Sequence, residues 1–212
     1  MEIIQLGMRT NTEPPYFIDG ILPRAGVVCV VGDRELRTAI IFDLMIHGAL
    51  GLPYSGRAVS QGAVVYLDIE GGASIPNRVT GFYKGRERGV PFYLTPGPID
   101  LATEVPTAIQ TIRAAGIRPA VIVLDGPCER ASVDAIRNAF SCLVVVSCLA
   151  ADDERQSETH IAVRHNAAGD IVTTIELIGE QREWNEFICQ TRIIGIGRDL
   201  DGGIVSTNLL TA

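Results

Sequence analysis

The chain is poor in the residues that build metal centres and disulfide frameworks. It holds three histidines and five cysteines in 212 residues, and no two cysteines have C-x-x-C spacing, which argues against a zinc site. Cys29, Cys142, Cys148 and Cys189 lie in or beside apolar runs and Cys128 follows a Gly-Pro turn, so all five read as reduced thiols. No apolar run approaches the roughly 18 residues that a membrane span needs. The start, Met1-Glu2-Ile3-Ile4, lacks the basic region and apolar core of a secretory signal. These absences predict a cytoplasmic protein with no membrane partner. Positive charge is also in deficit, with 18 Lys and Arg against 25 Asp and Glu and a net charge of −7. Affinity for nucleic acid rests on cations that neutralise phosphates, so the chain as a whole is no natural polyanion binder. Lys84, Arg86 and Arg88 form a local basic cluster, with Arg9 and Arg24 nearer the N-terminus; clusters this small read as solvated loops.

What is present is a globular composition, 47% hydrophobic and 20% charged, at a length that fits one α/β domain. There is no internal repeat and no low-complexity tract. The central stretch is Ala25 to Leu44, A-G-V-V-C-V-V-G-D-R-E-L-R-T-A-I-I-F-D-L. Val27 to Val31 suits a strand buried on both faces. Gly32 to Arg37 reads as a short polar turn, and from Thr38 onward Ile40, Ile41, Leu44 and Met45 recur at helical spacing. Buried strand, glycine turn and helix frame a phosphate-binding loop, where backbone N–H groups and a helix N-terminus point at an anion.

The chemistry inside that frame departs from the phosphate-loop signature G-x-x-x-x-G-K-[ST]. Gly32 is followed by Asp33, Arg34, Glu35, Leu36, Arg37 and Thr38. The loop is one residue short, its second Gly is missing, and Arg37 stands where Lys is expected. Asp33 and Glu35 place carboxylates where a triphosphate would sit, and Arg37 is expected to pair with one of them. A plain strand-to-helix connection and a modified phosphate loop both fit the stretch.

Further strands are expected at Val64–Ile69, Val121–Leu124 and Leu143–Val146, parallel to the first and separated by helices over about 75–84, 103–115 and 132–140. The second strand ends in Glu70-Gly71-Gly72 and the third in Asp125-Gly126. Carboxylates at the C-terminal ends of parallel strands face the crevice where α/β proteins bind ligands. Past Ala151 a polar loop leads to a helix expected at Ser157–Ala168, with His160 and His165 on its surface. Strands at Ile171–Ile178, Asn185–Arg192 and Ile204–Leu210 follow with no helix between them and should be antiparallel. Trp184, the single Trp, is expected to pack these strands.

With these motifs in place the chain resembles the RecA/DnaB-type P-loop ATPases, and most closely the RepA-like branch of small hexameric plasmid and phage replication helicases. The resemblance rests on Ile18-Asp19-Gly20-Ile21-Leu22-Pro23, on Leu50-Gly51-Leu52-Pro53-Tyr54-Ser55-Gly56-Arg57, on Gln61-Gly62-Ala63-Val64-Val65-Tyr66, on Glu70-Gly71-Gly72-Ala73 with Arg78, and on Val121 to Asp125. It covers residues 16 to 150 and weakens beyond, where Gln190-Thr191-Arg192 is similar to the family's basic residues. It implies a single RecA-like domain over 1–212: a three-layer α/β fold, a mostly parallel sheet, an N-terminal arm at 1–15 and antiparallel strands within 151–212. It also implies ATP and Mg²⁺ as cofactors, a homo-oligomeric ring, and single-stranded DNA as a partner. By the same resemblance Glu70 is the catalytic carboxylate that orients water. Gly32, Arg37, Thr38, Asp125 and Arg192 bind nucleotide, and Thr38 and Asp125 hold the metal. The damaged loop opposes this, and the expectation is weak ATP binding with hydrolysis near background. The competing expectation is an active DNA helicase with a non-standard loop.

Overall fold

The computed structural model describes residues 16–71, 74–83, 89–95, 97–147, 159–166, 171–177, 183–198 and 204–211, the last three segments by backbone alone. The elements are β1 (Tyr16–Ile18), β2 (Leu22–Pro23), β3 (Gly26–Gly32), α1 (Arg34–Leu50), β4 (Ala63–Asp68), α2 (Ser74–Tyr83), β5 (Phe92–Leu94) and α3 (Leu101–Ala114). They continue with β6 (Pro119–Asp125), α4 (Arg130–Phe140), β7 (Leu143–Ser147), β8 (Thr159–His165), β9 (Ile171–Leu177), β10 (Glu183–Arg198) and β11 (Ile204–Thr211). Nine strands form one sheet in the order β11-β10-β9-β8-β3-β7-β6-β4-β5, and β1 and β2 make a separate antiparallel pair. The six strands from β8 to β5 are parallel, whereas β9, β10 and β11 add antiparallel.

Alternation along the strands explains the layers. Val28, Val30, Val64, Tyr66, Val121, Val123, Leu143 and Val145 share one apolar cluster with Ile40, Ile41, Leu44 and Met45 of α1 and Ile75 of α2. Their neighbours Val27, Cys29, Val65, Leu67, Ile122, Leu124, Val144 and Val146 point the other way, onto Leu101, Val105 and Ile112 of α3 and Val133 and Ile136 of α4. A sheet covered on both faces must be apolar at successive positions, which is why its strands appear as unbroken apolar runs. This is the three-layer α/β arrangement expected of a RecA-like domain. Full burial of a Leu or Ile side chain contributes about 1.5–3 kcal/mol, and α1 alone buries four at 1% exposure or less: Ile40, Ile41, Leu44 and Ile46.

Three expectations need correction. The segment read as a helix at Ser157–Ala168 contains β8, parallel to β3, with Val28 opposite Thr159 and Gly32 opposite Val163. Its β-branched Thr159, Ile161 and Val163 alternate at strand period and Ile161 and Val163 enter the α1-side core. His160 is consequently buried at 6% exposure, not on the surface. Cys29 is disulfide-bonded while Cys128 and Cys142 are free thiols, so among the described cysteines Cys29 departs from the reduced reading. Spacing along the chain could not report this, because the sheet brings distant segments together. The basic cluster at 84–88 and the arm at 1–15 lie outside the described residues.

Candidate functional site at the strand ends

The carboxyl ends of β3, β4, β6 and β7 converge on the first two turns of α1, which is where the sequence placed its candidates. The expected turn at Gly32–Arg37 is absent, and this is the main correction. β3 extends through Gly32, Asp33 is the N-cap, and α1 starts at Arg34. The Arg37 amide already donates to the Asp33 carbonyl at 2.9 Å. Arg34, Glu35, Leu36 and Arg37 are acceptable helix residues, and an acidic residue in the first turn suits the helix dipole. Without the second Gly nothing delays the helix. A phosphate loop needs a run of free N–H groups curved around the anion, and here that backbone is wound into a regular turn.

Gly32 has a structural use. Its φ is 131°, and a Cβ there would lie 2.2 Å from the Val163 carbonyl oxygen. Glycine is therefore required by the close approach of β8, a contact unrelated to phosphate.

Arg37 points inward. Fully buried at 0% exposure, it donates from Nε to Ser147 Oγ at 2.8 Å and from Nη1 to the Gly32 carbonyl at 2.9 Å. Burial lowers its pKa, opposed by the carboxylates of Asp125 and Glu70. The expected partners of Arg37, Asp33 and Glu35, are instead exposed. Ser147, at the end of β7, holds the guanidinium that would otherwise occupy the crevice.

Arg34, which the sequence reading did not single out, takes the role of Glu70's partner. Arg34 Nε lies 2.8 Å from Glu70 Oε2, and Arg34 Nη2 donates to the Gly71 carbonyl at 3.3 Å. Gly126 fits beneath Glu70, since a Cβ there would meet Glu70 Cγ at 2.9 Å. Glu70 is thus positioned at the strand end as expected, but its charge is met by a cation from α1.

Thr38 and Asp125 are brought together. Thr38 Oγ1 donates to Asp125 Oδ2 at 3.1 Å, and the Tyr66 hydroxyl donates to the same oxygen. Asp125 and Thr38 are 8% and 7% exposed, and burial beside Asp125 raises the Tyr66 pKa well above its ordinary value. Tyr66 was quoted in the sequence only as part of a motif; its place on the same face as Val64, two residues back in a strand, is the signal that it points toward α1. Asp68, on that face too, accepts from the Gly71 amide at 2.8 Å, and burial raises its pKa. Arg192 lies in β10 opposite Leu209 of β11, in a segment described by backbone alone.

These residues do not fit a Mg²⁺–triphosphate as they stand. The backbone cradle is replaced by helix, one oxygen of Asp125 is engaged by two hydroxyls, and both arginines are committed to protein partners. A crevice of about 370 Å³ opens at the same end of the sheet between Ile69, Asp100, Pro127, Cys128 and Glu129. Neither Thr38 nor Asp125 lines it and its charged residues are acidic, so it is no phosphate site. Among the described residues no helix is long and apolar enough to cross a membrane. Comparison with models of known protein families, and with curated proteins, yields no match for the chain.

Proposed function

We propose that the protein is a RecA-like relative of the RepA-type replication helicases in which ATP binding is weak and hydrolysis lost, and which acts through its shape rather than by turnover. The observation that carries this reading is the direct passage from β3 into α1, with Arg37 folded inward onto Ser147. Phosphoryl transfer is catalysed by positioning and charge neutralisation. The loop that positions the phosphates is gone, and the cations that would neutralise them are spent on Ser147 and Glu70. The proposal includes assembly into a homo-oligomeric ring in the cytoplasm, with single-stranded DNA as a candidate ligand.

A second reading, an active ATPase with an unusual loop, draws support from the 3.1 Å contact between Thr38 and Asp125 with Glu70 beside them. Phosphate release from Mg²⁺–ATP, with and without single-stranded DNA, separates the two. The non-hydrolysing reading expects release equal to that of Glu70→Gln, and release that Glu70→Gln abolishes favours the active one. Light scattering at high concentration tests assembly, and a 22.8 kDa species alone under all conditions would exclude the ring.

A further inference from the structure

The double cover of the sheet fails at its edge strand. β5 ends the sheet beside β4, with Tyr93 opposite Val65. Phe92 and Leu94 pack on the α1-side core, where the Phe92 ring meets Phe42 and Tyr66. Tyr93, between them in the strand, therefore points to the α3 side. There Leu101, Val105 and Ile112 of α3 pack on Val65 and Leu67 of β4, whereas Tyr93 is left 42% exposed. A groove of about 300 Å³ remains between α3 and β5, at the small end of the range for small-molecule sites.

The groove has an apolar floor, a small-residue wall and one charge. Val65 and Leu67 lie beneath it, buried in the sheet. Thr107, Ala108 and Thr111 of α3 line the wall. A larger apolar side chain at Ala108 or Thr111 would fill the gap and bury more apolar surface, so packing alone does not explain it. Glu104, one turn before Ala108, is the single charged side chain among the described lining residues. Its Oε2 accepts from the Asp100 amide at 2.8 Å. That bond to the start of α3 holds the carboxylate at the groove and leaves Oε1 for a ligand.

We infer that the α3–β5 groove is a binding site for a small aromatic amine, its ring held between Tyr93 and the wall of α3 and its ammonium group on Glu104. The exposed Tyr93 ring favours an aromatic partner, and its face also attracts a cation. Among the described lining residues the charge is a lone carboxylate, which selects a cation and rejects an anion of the same shape. The groove opens on the α3 face of the sheet, whereas Tyr66 and the Thr38 end of α1 belong to the other face. The inference therefore goes beyond the proposed function and stands whether or not nucleotide binds.

Methyl NMR titration of the full chain tests it with three probes that share an indole ring: tryptamine, neutral 3-ethylindole and anionic indole-3-propionate. Tryptamine should give saturable shifts at Leu67 and Ile112 with a dissociation constant on the order of 1 mM or tighter, and leave Ile40 and Ile41 of α1 unmoved. It should bind about two- to fivefold more tightly than 3-ethylindole, the range for an exposed ion pair, and indole-3-propionate should bind more weakly than either. Glu104→Gln keeps a side chain able to bond the Asp100 amide and should remove the advantage of tryptamine. Ala108→Phe, and Thr111→Leu at an exposed position, should fill the groove and abolish binding by all three, with urea midpoints showing that the variants fold. The inference is overturned if tryptamine gives no saturable shift or shifts methyls elsewhere. It is also overturned if either comparison probe matches tryptamine, if Glu104→Gln keeps the preference, or if the folded groove-filling variants still bind.

Discussion

Arg34 and Glu70 meet at 2.8 Å across the mouth of the strand-end crevice. Glu70 stands just past the end of β4, and Arg34 comes from the first turn of α1. Because α1 starts at Arg34, the backbone of residues 34–37 is helical and the Arg34 side chain reaches the carboxylate.

Because the Arg34 and Glu70 side chains are 55% and 26% exposed, their ion pair adds little stability. Arg34→Ala should lower the unfolding free energy by no more than about 0.5–1 kcal/mol in urea titrations. A larger loss would mean that Arg34 supports the start of α1 itself.

The buried Arg37 should behave oppositely. Ser147→Ala removes its 2.8 Å acceptor and should cost about 1.5–3 kcal/mol, the range for hydrogen bonds to charged groups. Arg37→Met leaves no buried charge and should cost less than Arg37→Lys, whose point charge cannot serve both Ser147 and the Gly32 carbonyl. Urea midpoints of the three variants check the order.

Gly32→Ala places a methyl 2.2 Å from the Val163 carbonyl oxygen and should cost about 2–4 kcal/mol or abolish folding. Gly56→Ala provides the comparison. With φ of 76° and nothing within 4 Å, it should cost only the left-handed backbone penalty of about 1–2 kcal/mol. Equal losses at the two sites would contradict the close packing of β8 on β3.

Asp43 gives overall stability a pH dependence. Its folded pKa, about 6, lies above its ordinary 3.8. The native state therefore binds the proton more tightly, and the penalty of the buried carboxylate, present above pH 6, is relieved as pH falls toward 4. Between pH 7.5 and 5 this should raise unfolding free energy by about 1.4 kcal/mol, tenfold in the equilibrium constant. Asp43→Asn should abolish the rise, measured by urea titration at each pH.

Most of the fold is readable in the chain because burial on both faces leaves apolar runs at β3, β4, β6 and β7 that only a covered parallel sheet explains. β8 was misread because His160 and Arg164 interrupt its apolar pattern and resemble the polar side of a helix. The strand is recognisable only once β3 is known to need a neighbour. In the site, the places of Asp125 and Glu70 at the ends of their strands and of Thr38 in the first helix were legible from motif position. The partners of Arg34 and Arg37 were not, because Glu70 and Ser147 approach them through the sheet. The start of α1 was the decisive miss, although Arg34 to Arg37 already had the propensity for it.

The central proposal is that the strand-end site, filled by its own helix and arginines, binds nucleotide only weakly. Calorimetric titration of the pure protein with ATP and Mg²⁺ tests it most directly. The account predicts no saturable heat up to millimolar ATP, and a signal appearing when the segment from Gly32 to Thr38 is rebuilt to the full G-x-x-x-x-G-K-T pattern. Micromolar binding by the unaltered protein would contradict it.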